Sequence, residues 1–229
     1  MLIDELFIVL AFLIIFSILS YKLNLLDFEG ILVANAVGLA AITYGPNPVA
    51  NFLAVVCLFV FGEIASNYPK QKHEKRGIWN VIGNALPALI FLALIRIYPE
   101  YALFLELGFF GAVSAALADT LSSEIGYYSK AKPRLITTFK EVERGVDGGV
   151  TVLGELAALA GGLTIALLHF YFFNNYISAI IIILAGLIGS NVDSLFGATF
   201  ERKKILNNTH VNLLGGLAGA IFAFVISLL

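Results

Sequence analysis

The sequence predicts an all-α integral membrane protein, a polytopic bundle of about eight transmembrane helices. Hydrophobic residues fill 59% of the 229 positions and charged residues only 13%, with a mean hydropathy of +0.91. Soluble domains carry roughly 25% charged residues, so the composition excludes a water-soluble enzyme. The apolar runs are about 17–25 residues long, as a helix needs to cross a hydrocarbon core. Barrel strands are shorter, about 10 residues with alternating polarity, so a membrane β-barrel is not expected.

Eight apolar segments define the predicted spans, and together they predict a single transmembrane domain over residues 1–229. In chain order they cover residues 5–23, 28–44, 48–65, 78–98, 101–127, 149–172, 176–200 and 210–229. The second and third segments are short and are joined by Gly-Pro-Asn-Pro at 45–48. A re-entrant pair is therefore an alternative to two full spans at that point.

The distribution of basic residues orients the predicted bundle. When the loops alternate between two sides, all of the 14 Lys and Arg residues except Arg96 fall on one side. The opposite loops, at 45–47, 99–100 and 174–175, are short and nearly uncharged. Cytoplasmic loops of membrane proteins carry the excess of Lys and Arg. The sequence therefore predicts cytoplasmic basic loops, both termini outside, and a location in the plasma membrane.

Polar side chains gather near the predicted cytoplasmic ends of several segments. Ionisable and amide groups in membrane helices are costly, so they indicate function. They are Asp119, Ser122, Ser123 and Glu124 near the end of segment five, Asp193 near the end of segment seven, Asn80 and Asn84 at the start of segment four, and Asn212 at the start of segment eight. For the hydroxyl groups among such residues, interhelical hydrogen bonding is the alternative role.

Helical spacing places these polar residues on faces that also carry small residues. Asp119 follows Gly111 and Ala115 by eight and four positions, and Asp193 follows Gly189 by four. Small residues let helix backbones approach closely, so such faces pack against other helices. We therefore expect the polar side chains to point inward, toward one pocket at the cytoplasmic surface.

The residue types in this pocket suit phosphoryl transfer. Carboxylates with hydroxyl and amide neighbours are hard ligands for Mg²⁺, and Asp119, Glu124 and Asp193 at one membrane depth need a cation. Residues 145–149 precede segment six, where glycines and a helix N-terminus favour a phosphate. Basic residues at 130–144 would neutralise phosphate charge, although positive-inside topology alone also explains them. A Walker A pattern is absent, so a P-loop is excluded.

Five ordered motifs then carry a resemblance that extends over essentially the whole chain. They are ADTLSSEIG at 118–126, TTFKEV at 137–142, GVDGGVT at 145–151, VDSLFGAT at 192–199 and NTHVN at 208–212. This pattern resembles the transmembrane-protein-19-like family, formerly a domain of unknown function, which includes the plant phytyl-phosphate kinase. Glu155 departs from the family pattern, where a small or hydroxyl residue is expected.

The resemblance implies a membrane kinase that moves the γ-phosphate of a nucleoside triphosphate, CTP favoured, to an isoprenoid monophosphate of the phytyl or geranylgeranyl type. Mg²⁺ and the nucleotide would be the cofactor and co-substrate, the acceptor and membrane lipid the partners, with no nucleic acid and a homodimer as one assembly. The residues carried over are Asp119, Glu124 and Asp193 as catalytic metal ligands, Lys140 and Arg144 as catalytic cations, and Asn80, Asn84, Ser122, Ser123, Asp147, Gly148, Gly149 and Asn212 at the nucleotide and phosphate.

Two other classes of membrane protein compete with the kinase. An ion-coupled or lipid-handling transporter also carries clustered glycines and intramembrane acids, but its site would lie nearer the bilayer midplane. A CDP-alcohol phosphotransferase would use carboxylates at the membrane surface, yet its Asp-Gly-x-x-Ala-Arg pattern is missing. The transporter is the principal alternative.

Overall fold

The protein is a bundle of helices, seen in a computed structural model that describes residues 3–23, 25–66 and 78–229. Eight α-helices lie within these ranges, which confirms the all-α prediction. They are α1 (Ile3–Lys22), α2 (Phe28–Tyr44), α3 (Pro48–Ser66), α4 (Ile78–Ile97), α5 (Ala102–Gly126), α6 (Val152–Phe173), α7 (Tyr176–Phe196) and α8 (Asn208–Ser227). Two short antiparallel strands, β1 (Arg134–Leu135) and β2 (Gly149–Val150), lie between α5 and α6.

Six of these helices, α3 to α8, are long and apolar enough to cross a membrane. Of the other two, α1 has 20 residues and α2 has 17. The lengths support a polytopic membrane bundle. They also make α3 long enough to be a full span. The sequence had allowed a re-entrant pair of α2 and α3 as an alternative, because both segments are short.

Helix α5 forms the centre of the bundle. It packs against α3, α4, α6, α7 and α8, and the side chains of Phe109 and Phe110 within it are 0% exposed. Glycines bring its neighbours close. A Cβ atom on Gly111 would lie 2.7 Å from the carbonyl oxygen of Gly219 in α8, and one on Gly161 in α6 would lie 2.9 Å from the backbone of Ala118. The central helix is therefore held by backbone contacts that larger residues would prevent.

Except for Arg96, the described basic residues lie toward one end of the bundle, which we call the hairpin end because β1 and β2 lie there. Helices α1, α3, α5 and α7 end at the hairpin end, and Arg96 lies near the other end of α4. The predicted basic loop containing Lys70, Lys72, Lys75 and Arg76 falls in residues 67–77, outside the described part of the chain.

The start of α6 differs from its predicted position at residue 149. Gly149–Val150 forms strand β2, and the helix begins at Val152. Thr151 caps it, because its hydroxyl oxygen accepts a hydrogen bond from the N–H of Gly154 at 3.0 Å. Pairing with β1 keeps residues 149–150 extended, so the glycines do not lead directly into the helix.

A buried acid joins two helices at the end opposite the hairpin. Glu106 of α5 is 3% exposed, and its Oε1 accepts a hydrogen bond from the backbone N–H of Asn47 at 3.1 Å. Asn47 lies in the short turn between α2 and α3. The carboxyl group therefore satisfies a backbone donor that the turn itself leaves without a helical partner.

We expect Glu106→Leu to lower the free energy of unfolding by about 1–3 kcal/mol, because it leaves the half-buried Asn47 N–H without its acceptor. Glu106→Gln retains an acceptor oxygen and should lose much less. Thermal unfolding of both variants in the same detergent measures the difference. Equal melting temperatures for the Leu and Gln variants would show that this hydrogen bond does not support the turn.

Candidate functional site

Four polar side chains meet in a narrow crevice between α4, α5, α7 and α8. The crevice is lined by Asn84, Asp119, Asp193 and Asn212. Its remaining walls are small residues of α5, α7 and α8: Ala115, Ala116, Gly189, Gly215 and Gly216. The inward grouping expected from helical spacing is confirmed for these four side chains, and we call their site the acidic crevice.

Close helix packing creates the acidic crevice. A Cβ atom on Gly189 would overlap the Cβ of Ala115 and lie 2.9 Å from the carbonyl oxygen of Gly215. One on Gly215 would lie 3.0 Å from the Cβ of Asp193. Since the three backbones approach this closely, acids that belong to different helices face one another across a short gap.

Asp119 and Asp193 are the central pair of the crevice. Their side chains lie within hydrogen-bonding distance of each other. With its amide nitrogen turned toward the acids, Asn212 donates to Oδ2 of Asp193 at 3.1 Å and to the carbonyl of Asn208 at 3.2 Å. Two carboxyl groups this close repel each other unless a proton or a cation lies between them. Their oxygens, with nearby amide oxygens, form a donor set of the kind that Mg²⁺ prefers.

Two more acids act electrostatically on Asp193 from the hairpin end. They are Asp147, in the loop before β2, and Glu201, at the end of the π-helical turn Gly197–Glu201 that follows α7. Glu201 was not predicted. The sequence did contain a signal for Glu201, because its spacing of eight residues from Asp193 is one that puts two side chains on one side of a helix. The π turn is a second sign, visible only in the structure, since such turns occur often at functional sites.

Gly148 fixes the loop that carries Asp147 against α7. Its φ angle is +74°, and a Cβ atom there would lie 2.5 Å from the carbonyl oxygen of Ser194 and from the backbone nitrogen of Ala198. Only glycine accepts both this backbone conformation and this contact. The predicted glycine stretch therefore brings the loop backbone onto the helix end beside Asp193.

Glu124 and its neighbouring serines lie away from the central pair. Ser66, the last residue of α3, donates to Oε1 of Glu124 at 2.8 Å. Ser122 faces Gly154 of α6, and Ser123 is exposed. Among the residues with described coordinates, no three His, Cys, Asp or Glu side chains are placed to hold one metal ion. The structure thus brings Asp119 and Asp193 together and places Glu124 apart from them, and the role of Glu124 as a metal ligand stays a prediction.

The phosphate contacts predicted at the glycine loop and in the basic segment are partly occupied by other groups. The N–H of Gly149 donates to the carbonyl of Val146 at 3.0 Å. The guanidinium of Arg144 donates to the carbonyl of Ser129. Lys140 lies exposed between β1 and β2, and its carbonyl accepts a hydrogen bond from the N–H of Leu135 at 2.9 Å. At the start of α6 the N–H of Gly154 is already bonded to Thr151, and the phosphate site expected there stays a prediction.

The two asparagines of α4 link the crevice to a second cavity. The Nδ2 of Asn84 donates to the carbonyl of Asn80 at 3.1 Å. Asn80 lines an apolar groove beside α1 and α3, whereas Asn84 lines both that groove and the acidic crevice. Glu155, where the resemblance led us to expect a small or hydroxyl residue, accepts a hydrogen bond from Asn191 of α7 at 3.1 Å. The structure thus gives Glu155 a role in joining α6 to α7.

The fold and the comparisons define a multi-pass integral membrane protein. Residues 11–220 match the family described as integral membrane protein DUF92, and the chain belongs to this family. This confirms the resemblance found in the ordered motifs. No solved structure matches the chain.

Relatives occur in archaea, cyanobacteria and plants. A membrane protein of Methanocaldococcus jannaschii is 34% identical, with 97% of this chain and 94% of the relative covered. One from Synechocystis is 34% identical over 75% of this chain and 72% of its own. The chloroplastic protein VTE6 of Arabidopsis thaliana is 30% identical, with 83% of this chain and 62% of VTE6 covered.

Proposed function

We propose that this protein is a membrane phosphotransferase that converts an isoprenoid monophosphate, of the phytyl or geranylgeranyl type, to the diphosphate. The donor is a nucleoside triphosphate, with CTP favoured. The observation that carries the proposal is the meeting of Asp119, Asp193, Asn84 and Asn212 in one crevice beside an apolar groove. The 30% identity to VTE6, together with the resemblance to a family that includes the plant phytyl-phosphate kinase, supports phosphoryl transfer to such an acceptor.

The reaction needs little covalent work from the protein. A terminal oxygen of the acceptor phosphate attacks the γ-phosphorus of the nucleotide, and the bond from that phosphorus to the β,γ-bridging oxygen breaks. The nucleoside diphosphate leaves, and the isoprenoid diphosphate is the product. Since the acceptor oxygen is already negatively charged, catalysis consists of positioning two anions and offsetting their repulsion.

The chain's own groups are suited to that positioning. Asp119 and Asp193 would hold Mg²⁺, which when bound offsets the negative charge of the phosphates. Asn212 keeps the Asp193 carboxyl group in place through the hydrogen bond at Oδ2. Asn84 faces the point where nucleotide and acceptor would meet, and its amide can orient a phosphate oxygen.

Basic residues of the hairpin segment would complete the charge balance. Arg144 has further N–H donors besides the one directed at Ser129, and Lys140 extends from the same segment. We place this end of the bundle in the cytoplasm, where nucleotides are available, in agreement with the distribution of basic residues.

A transfer assay tests the proposal directly. Purified protein in detergent is mixed with Mg²⁺, geranylgeranyl monophosphate and CTP or ATP labelled at the γ-phosphate. We expect labelled geranylgeranyl diphosphate that requires Mg²⁺, with more product from CTP than from ATP. Folded protein that forms no diphosphate from acceptors of several chain lengths would overturn the proposal. Uptake of substrate by liposomes containing the protein would then identify a transporter.

A further inference from the structure

An apolar groove of about 630 Å³ opens beside the acidic crevice, between α1, α3 and α4. Its deep part is lined by aromatic and aliphatic side chains, among them Phe12, Phe16 and Leu58. Its polar residues, which include Asn80 and Asn84, lie toward the hairpin end. The volume is within the range of roughly 300–1,000 Å³ that is usual for small-molecule sites. The groove is therefore amphipathic along its length, polar at one end and apolar at the other.

The groove wall also contains a buried hydroxyl group that the protein itself does not satisfy. Ser20 of α1 is 1% exposed, and its Oγ has no hydrogen-bond partner among the described residues. Buried hydroxyl groups are nearly always hydrogen-bonded, so one without a partner needs an explanation. Its position in the groove wall fits a bound molecule with a polar group near this end of the groove.

The groove continues into the acidic crevice through Asn84, which lines both. An occupant that fits both spaces needs a polar or anionic head beside Asn84 and a hydrocarbon chain directed toward Phe12. From Leu23, directly after α1, to Phe12 the groove follows the chain over eleven residue steps, about 16 Å at the rise of an α-helix. An apolar chain with a phosphate at one end has this form.

We propose that the groove between α1, α3 and α4 holds the hydrocarbon chain of the acceptor, and that Asn84 marks where the chain ends and its phosphate begins. The inference rests on the proposed function, because it assigns the chain of the isoprenoid monophosphate to one defined surface. It also makes the groove the part of the protein that sets which chain lengths are accepted.

Labelling with a photoreactive acceptor tests the groove without requiring catalysis. Geranylgeranyl monophosphate with a diazirine at the far end of its chain is irradiated with the full-length protein, and the labelled peptides are identified by mass spectrometry. We expect labelling near the deep end of the groove, at Phe12 to Phe16 of α1 and Leu58 to Val60 of α3, and loss of the label when unmodified geranylgeranyl monophosphate is added. Labelling on α7 or α8, or equal competition by a membrane phospholipid, would overturn the assignment.

A tryptophan in the groove wall provides a second test, with a control on the same helix. Val60 is 43% exposed and lines the groove, whereas Val49 is 55% exposed near the start of α3 and does not line it. We expect Val60→Trp to raise the KM for geranylgeranyl monophosphate at least tenfold and to change that for a ten-carbon acceptor much less. Val49→Trp should match the wild type with both acceptors. Equal effects of Val60→Trp on both chain lengths would argue against the groove.

The two experiments separate failure of the groove from failure of the proposed function. If the wild type makes diphosphate but the label falls elsewhere, the reaction stands and the groove assignment is wrong. If the label falls in the groove and is displaced by the acceptor while no nucleotide supports transfer, the chain site stands and the phosphotransferase proposal is wrong.

Discussion

Asp193→Asn and Asp119→Asn should each reduce the transfer rate by a factor of about 10³, the largest effect expected of any single substitution. The two acids form the central pair of the crevice and lie within hydrogen-bonding distance of each other. An amide is similar in size to a carboxyl group but removes a negative oxygen that Mg²⁺ requires. The rate of diphosphate formation, measured at several Mg²⁺ concentrations, checks the prediction.

The melting temperature distinguishes this loss of activity from unfolding. Each amide variant removes repulsion between two acids, so it should melt at or above the temperature of the wild type. Mg²⁺ should raise the melting temperature of the wild type more than that of either variant, because ligands stabilise the state to which they bind. Glu100→Gln, at an exposed acid of the opposite end, is the control that should change nothing. Full transfer activity in Asp119→Asn or Asp193→Asn would show that the acidic crevice is not the catalytic site.

Gly189→Ala should give the second largest effect, although its side chain carries no chemistry. Its Cβ atom would overlap that of Ala115 and lie 2.9 Å from the carbonyl oxygen of Gly215. The added methyl group must push α7 away from α5 and α8, which costs about 1–3 kcal/mol of stability. Since a displacement of about 1 Å can cost 10²-fold in rate, we expect activity to fall by about that factor, measured in the same transfer assay.

A second substitution at the opposing residue is the matched control. Ala115→Gly removes the methyl group that the new side chain would meet first. The double variant Gly189→Ala with Ala115→Gly should therefore recover part of both the melting temperature and the transfer rate. Recovery would be incomplete, because the contact with Gly215 remains. No recovery at all would mean that spacing between α5 and α7 does not control the site.

The fold was largely accessible from the sequence because hydrophobic length is a strong signal in membrane proteins. All eight helices were predicted, and most boundaries agree to within a few residues. The clearest misplacement is at the start of α6, where Gly149 and Val150 pair with Leu135 and Arg134. A two-residue strand has no periodicity to recognise, and its pairing depends on residues fourteen and sixteen positions away.

The residues of the acidic crevice were predicted in part, and the misplaced residue was one whose direction around its helix could not be derived. Spacing against glycine and alanine placed Asp119, Asp193 and Asn212 on packing faces, and these do meet. Glu124 was grouped with them because it lies near the same depth. On a helix its side chain points in another direction, toward Ser66. The depth of a residue in the membrane follows from its position along the predicted span. Which neighbouring helix its side chain faces depends on the arrangement of the helices in space, and the sequence does not supply that arrangement.

The segment between α5 and α6 is fastened at several points before any substrate arrives. Arg144 donates to the carbonyl of Ser129, the N–H of Ile136 donates to Gly148 at 3.0 Å, and that of Val142 donates to Pro133 at 3.0 Å. Ordering a free backbone costs about 1–2 kcal/mol per residue in conformational entropy. Here that cost is met during folding, so the backbone that carries Lys140 and Arg144 would lose little freedom if the proposed phosphate binds there.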